Sequence, residues 1–310
     1  MNWYGVMPAV TTPFDADLNV DHAFLERHLR WLLENGCTGL VMLGSLGEGA
    51  TLEHAEKVAI LQTAVRASAG KTPVVAAISA LSTAHAIQLA KDAEAAGCSG
   101  LMVLPPYVYS SDWREMKQHI AAILKATKLP CMLYNNPVAY KTDFLPEQIQ
   151  ELAAEHLNLA AVKESSADVR RIAAIRSLLD DRLALFVGVD DILVEAVNLG
   201  ATGWIAGLVN AFPAESVALF EFAIAGKRED AFALYRWFLP LLRMDTVPKF
   251  VQLIKWVQGQ TGTGVASVRP PRLELVGAEL EEAKAVLATA LANPPAIRST
   301  PFAAFAESVR

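Results

Sequence analysis

One nine-residue pattern occurs twice in the chain and is echoed a third time. Asn35-Gly36-Cys37-Thr38-Gly39-Leu40-Val41-Met42-Leu43 matches Ala96-Gly97-Cys98-Ser99-Gly100-Leu101-Met102-Val103-Leu104, and Leu199-Gly200-Ala201-Thr202-Gly203-Trp204-Ile205 repeats its first part. Each copy reads as a helix end, a closing glycine, a short turn and a buried strand. Glycine suits the closing position because it adopts positive φ without a Cβ clash. The gap between the first two copies leaves room for one further strand–helix unit. Such regular alternation is the pattern of a parallel sheet covered by helices.

A pass along the chain finds eight such units. Apolar strands are predicted near 6–11, 39–44, 73–78, 100–105, 130–134, 159–163, 183–187 and 202–206. They are continuous apolar runs, as parallel strands buried on both faces require. Amphipathic helices are predicted near 21–35, 53–69, 83–96, 112–127, 146–156, 168–179, 191–199 and 214–225, with start signals at Thr51-Leu52-Glu53-His54, Ser82-Thr83, Ser111-Asp112 and Asp190-Asp191. Eight units predict an α/β fold of the (β/α)8 TIM-barrel type over residues 1–226. A doubly wound sheet is the alternative, but the first strand-to-helix turn has no G-x-G-x-x-G. Gly226–Leu242, Pro248–Gln260 and Ala278–Ala292 look helical, giving a C-terminal helical extension over 227–292. The stretch 293–310, with Pro294, Pro295 and Pro301, is expected to be a flexible tail.

Composition narrows the function classes. Apolar residues make up 53% and charged residues 19% of the 310, so a disordered chain is excluded. A net charge of −6 argues against nucleic acid or an acidic membrane as partner. Mean hydropathy is high at +0.29, yet no apolar run reaches the roughly 18 residues of a membrane span. The excess calls for a large core and for subunit interfaces. The first residues lack a secretory pattern, and Cys37, Cys98 and Cys131 form neither a disulfide framework nor a zinc motif; a cytoplasmic protein is the expectation.

Barrel enzymes carry their chemistry at the C-terminal ends of strands. Gly44-Ser45-Leu46-Gly47-Glu48 follows the second predicted strand, Tyr107 the fourth, Tyr134-Asn135-Asn136-Pro137 the fifth, Lys163-Glu164-Ser165-Ser166 the sixth and Gly188-Val189-Asp190-Asp191 the seventh. Lys163 ends an apolar strand. In a confined pocket its ammonium is disfavoured and the neutral amine can attack a carbonyl; the plainer reading is a lysine reaching out to water. Tyr134 is either a proton relay or a buried aromatic. The Gly44–Glu48 segment is either a cradle of backbone N–H groups for a carboxylate or a tight turn. Asp190-Asp191 reads as a helix N-cap rather than an acid pair. All six histidines fall in predicted helices without metal-ligand spacing, so no metal is expected. The loops after strands 7 and 8 are too poor in basic residues and glycine for a phosphate cup, which makes a flavin or sugar-phosphate barrel a weaker reading.

Gly44-Ser45-Leu46-Gly47-Glu48, Tyr134-Asn135-Asn136-Pro137 and Val162-Lys163-Glu164-Ser165-Ser166, in this order and spacing, resemble the dihydrodipicolinate synthase / N-acetylneuraminate lyase family of Schiff-base barrels. The resemblance runs from about residue 3 to about residue 290. It implies a class I aldolase-type lyase without a cofactor, in which Lys163 forms an imine with a 2-oxo acid. Tyr134 relays protons and Gly44-Ser45 holds the substrate carboxylate. Leu46, Tyr107, Asn136, Ser165, Asp190 and Ile205 complete the expected substrate pocket. It also implies a homo-oligomer, dimer or tetramer.

Three departures bear on substrate. Leu46 stands where the synthases carry a second hydroxyl residue. Val108 replaces a tyrosine that reaches a neighbouring subunit's site, with Tyr109 one residue away. Ala139 replaces an arginine that binds the aldehyde substrate's carboxylate. Other stretches, Met132-Leu133-Tyr134, Tyr235-Arg236-Trp237-Phe238 and Asp245-Thr246-Val247-Pro248-Lys249-Phe250, resemble the 1-pyrroline-4-hydroxy-2-carboxylate deaminases of hydroxyproline breakdown. The implied substrate is a cyclic imine carboxylate. The products are 2,5-dioxopentanoate and ammonia. The alternatives are 4-hydroxy-tetrahydrodipicolinate synthase, another pyruvate-dependent aldolase, or a non-catalytic barrel that binds a small acid.

Overall fold

The computed structural model describes residues 1–107 and 112–308. The eight strands are β1 Gly5–Pro8, β2 Leu40–Met42, β3 Val74–Ile78, β4 Gly100–Val103, β5 Cys131–Asn135, β6 Leu159–Glu164, β7 Ala184–Val187 and β8 Gly203–Ala206. Between them run α1 His22–Glu34, α2 His54–Ser68, α3 Thr83–Ala95, α4 Trp113–Lys125, the one-turn α5 Pro137–Tyr140, α6 Pro146–Glu155, α7 Arg170–Leu179 and α8 Leu193–Asn198; α9 Pro213–Ile224 follows β8. All strand pairs are parallel, in the order β1-β8-β7-β6-β5-β4-β3-β2. The circle closes through Thr38 N–H to Val6 O and Val10 N–H to Val41 O, both 2.9 Å. The fold is therefore a (β/α)8 barrel, and the doubly wound alternative falls because its sheet would stay open.

Local chemistry explains the elements. Most strand residues are buried, so the continuous apolar runs face the barrel interior on one side and the helices on the other. Ser82 accepts from His85 N–H at the start of α3, and Asp112 forms a capping box with Glu115 at the start of α4. Gly36, Gly97 and Gly200, the closing glycines of the three repeats, all have positive φ. The one local signal that misleads is Asp190-Asp191. They form a 3-10 turn, Asp190–Ile192, and α8 begins only at Leu193. The Asp190 carboxylate turns toward β8 because unpaired backbone N–H groups there need an acceptor.

The extension comprises α10 Arg228–Leu242, a 3-10 turn Arg243–Asp245, α11 Phe250–Thr261 and α12 Gly277–Ala292. Beyond Asn293 the chain, expected to be a flexible tail, lies against α1 and α9. The Ser299 hydroxyl donates to buried Glu215, Trp31 Nε1 donates to Thr300 O, and Phe302 packs among Phe24, His28 and Trp31. It continues into α13, Phe302–Ser308. The proline count hides an aromatic anchor that composition alone does not weigh.

Candidate active site

The site is built on the register between β5 and β6. Tyr134 lies opposite Lys163, and Asn135 opposite Glu164. Side chains alternate along a strand, so Tyr134 and Lys163 share one face and Asn135 and Glu164 the other. Lys163 Nζ lies 4.2 Å from the centre of the Tyr134 ring. On the opposite face buried Asn135 donates to Glu164 Oε2 (3.1 Å) and Asp143 Oδ1 (3.1 Å) and accepts from Phe144 N–H (3.0 Å). Arg171 grips Asp143 through two 2.7 Å bonds. This network locks the two strands side by side and thereby fixes the tyrosine–lysine pair.

Lys163 is 6% exposed. Burial lowers its pKa to about 8, against the opposing pull of Asp245 and Asp190. Gly188, just beyond β7, makes room for it: a Cβ there would collide with Lys163 Cε and Ser165 Oγ. Ser165 Oγ is buried beside Lys163 and Tyr134. Burial also pushes the Tyr134 phenol up to about 12, against the hydrogen bond from Asn136 Nδ2 to its oxygen (2.9 Å). Asn136 has a second task, since its Oδ1 accepts from Ala139 N–H and caps α5.

The Gly44–Glu48 segment is a strained, anchored turn. Leu43 and Glu48 have positive φ. A Cβ on Gly47 would lie 2.7 Å from Val10 O, and one on Gly49 would strike Leu43 O. Gly44 by contrast faces nearly open space. The turn's own bonds, Glu48 N–H to Ser45 O and Gly49 N–H to Gly44 O, leave the N–H groups of Ser45 and Leu46 without a partner among the described residues. These are the donors a carboxylate needs. Glu48 itself is fully buried. It accepts from Lys255 Nζ of α11 (2.7 Å) and from Arg269 N–H (3.0 Å).

Asp190 is also fully buried. It accepts from Trp204 Nε1 (3.2 Å), Gly207 N–H (3.0 Å) and Leu208 N–H (3.0 Å). Burial raises its pKa to about 6, partly offset by these donors. Ile205 lies two residues beyond Gly203 on the same face of β8 and is buried, as is Leu46. The Tyr107 ring stands 5.6 Å from that of Tyr140. Val108 and Tyr109 lie outside the described residues.

Two groups escaped the sequence reading. Tyr140, at the end of α5, hydrogen-bonds Ser45 Oγ, and its ring meets Tyr134 edge-on at 5.9 Å. Burial raises its pKa, so its hydroxyl stays protonated. The signal was present: Asn136-Pro137 is a helix start, and Tyr140 falls one turn on from the cap. Asp245 comes from the extension, and its carboxyl lies against Gly207. Its stretch, residues 245–250, stands out by resemblance alone, which gives the residue no place in the site. Among the described residues no cluster of three or more His, Cys, Asp or Glu side chains could hold a metal.

A (β/α)8 barrel that buries a lysine opposite a tyrosine is the architecture of a Schiff-base lyase, and the chain is similar to such enzymes along most of its length. The Dihydrodipicolinate synthetase family model matches residues 2–290, and the chain belongs to that family; it is an enzyme of the class I aldolase type. It is 29% identical over 282 residues to a 4-hydroxy-tetrahydrodipicolinate synthase of Desulforamulus reducens, covering 91% of this chain and 95% of that one. Among solved structures, the 4-hydroxy-tetrahydrodipicolinate synthase of Methylacidiphilum fumariolicum SolV superposes with a TM-score of 0.90 at 26% identity, covering 99% of each chain. The chloride-inhibited dihydrodipicolinate synthase of Acinetobacter baumannii, complexed with pyruvate, gives 0.87 at 29% identity over 93% of this chain and 98% of that one. No helix of the described residues is long and apolar enough to cross a membrane.

Proposed function

We propose that the enzyme forms an imine between Lys163 and C2 of 1-pyrroline-4-hydroxy-2-carboxylate, opens the ring, expels the 4-hydroxyl and releases ammonia with 2,5-dioxopentanoate. The observation that carries this reading is the lone carboxylate cradle. The unengaged N–H groups of Ser45 and Leu46 suit one carboxylate, while Ala139 offers no guanidinium for a second. Tyr134 takes and returns the C3 proton. The Ser45 hydroxyl lies between this chemistry and Tyr140, so one chain holds all three hydroxyl groups. Arg269, a possible substitute for the missing arginine, is committed to Glu56 and Leu18 O. Arg243 is largely exposed beside Asp191.

A second reading has its own support: the relatives compared above bear the name of the synthase that condenses pyruvate with an aldehyde. Steady-state assays of both reactions on one preparation separate the two. Ammonia release from the cyclic imine, with condensation of pyruvate and aspartate semialdehyde at least tenfold slower, is expected, because losing a charged hydrogen-bond partner costs roughly 1.5–3 kcal/mol. Faster condensation reverses the assignment. Small-molecule substrates and a homo-oligomeric state accord with either reading.

A further inference from the structure

The pocket has two acids, and their surroundings differ. Asp190 spends its lone pairs on Trp204, Gly207 and Leu208. Asp245 has no hydrogen bond and no ion pair among the described residues. It sits on the 3-10 turn Arg243–Asp245, which packs on the turn Asp190–Ile192. Its Oδ1 occupies the space that a side chain at Gly207 would need, which places the carboxyl at the mouth of β8. The Tyr134–Ser45–Tyr140 hydroxyls belong to β5, α5 and the turn after β2. The pocket thus has proton-handling groups from two separate parts of the barrel.

A β-elimination needs such a pair, a base for the proton at C3 and an acid for the hydroxyl at C4. We propose that Asp245 is the acid that protonates the departing 4-hydroxyl of the ring-opened imine, a step that rests on the deaminase reading above. Tyr134 has removed the C3 proton, leaving the enamine on Lys163. The enamine electron pair forms the C3–C4 double bond, the C4–O bond breaks, and the Asp245 proton goes to the oxygen. One water leaves, a conjugated iminium remains on Lys163, and Asp245 is left as a carboxylate that regains its proton from water. Burial, reinforced by the Asp190 charge, holds the Asp245 carboxyl well above the usual carboxylate range, against the pull of Lys163. That direction favours the protonated form the step calls for. The ring-opened intermediate also carries a primary ammonium at its far end. Once it has given up its proton, the Asp245 carboxylate faces that ammonium with opposite charge.

The test compares the full-length wild type with Asp245→Asn, Asp245→Glu and Lys163→Ala. Each is treated with borohydride in the presence of pyruvate or of 1-pyrroline-4-hydroxy-2-carboxylate, and intact masses are measured alongside ammonia release. Asp245→Asn should trap pyruvate as the wild type does, yet release ammonia about a hundredfold more slowly, a typical loss for an acid catalyst. Its adduct with the cyclic imine should be heavier than the wild-type adduct by one water, because the hydroxyl is retained. Asp245→Glu should recover part of the rate. Three outcomes overturn the proposal: Asp245→Asn turning over within about threefold of wild type, its adduct already short of a water, or loss of its pyruvate adduct. The last would make Asp245 a residue that only positions Lys163. A wild type that traps pyruvate but releases no ammonia from the cyclic imine removes the deaminase reading, and the assigned step with it.

Discussion

At the level of single residues, the chemistry rests on a lysine that has been made a weaker base. A cation whose pKa is lowered loses its proton at lower pH, so the nucleophilic amine appears from about pH 8 upward rather than above pH 10. The rate of borohydride-trapped pyruvate adduct should rise along a limb centred near pH 8. Asp190→Asn removes an anion that favours the ammonium, and should move the limb to lower pH. A wild-type limb that stays above pH 10 refutes the assignment. Gly188→Ala tests the packing behind Lys163. Its Cβ would claim the place of Lys163 Cε, so the adduct should vanish while the far-ultraviolet circular dichroism is unchanged. Lys163 and Tyr134 were legible in the sequence because each ends an apolar strand, and strand ends in a barrel converge. Asp245 was not, because its position is set by how the extension packs over β8.

At the level of elements, the eight strand–helix units were legible because periodicity and glycine closure report local structure. Their ends were less so. β2 stops at Met42, two residues short of the reading, because Leu43 turns to positive φ and starts the strained loop. Helix α5 is a single turn, too short for an apolar period, yet it carries Tyr140 to Ser45. The Ser45 hydroxyl is then bonded within its own chain. Tyr140→Phe keeps the ring packing against Tyr107 and Tyr134 and removes only the hydroxyl. It should lower kcat about ten- to a hundredfold, the worth of one buried hydrogen bond of 1–3 kcal/mol, and leave KM for the cyclic imine nearly unchanged. Equal turnover by Tyr140→Phe would show that protons leave Ser45 by another route.

At the scale of the whole molecule, a buried ion pair ties the barrel to its extension. Lys255 of α11 is 1% exposed; it donates to Glu48 Oε1 (2.7 Å) and Thr12 O (2.9 Å) and stands over the Phe14 ring at 4.4 Å. Burial lowers its pKa, and Glu48 opposes that shift. The pair ties the loop after β2, where the carboxylate cradle lies, to a helix more than two hundred residues later. The sequence marked Glu48 as part of a motif and Lys255 as part of a helix, but a contact of that separation leaves no local trace. Its energetics divide along a testable line. Removing one partner strands a buried charge, whereas replacing both by apolar groups of similar size does not. Lys255→Met should therefore destabilise the protein by about 3–5 kcal/mol, and the double variant Glu48→Leu with Lys255→Met should regain most of that loss. Arg269 N–H, which also donates to Glu48, and Arg272, whose Nη1 lies 3.8 Å from Glu48 Oε2, set the part that is not regained. Chemical denaturation of the three proteins measures the stabilities, and pyruvate trapping reports the cradle. If the pair serves only stability, the double variant recovers both. If the charge of Glu48 holds the loop in its positive-φ conformation, stability returns and KM for the 2-oxo acid stays high.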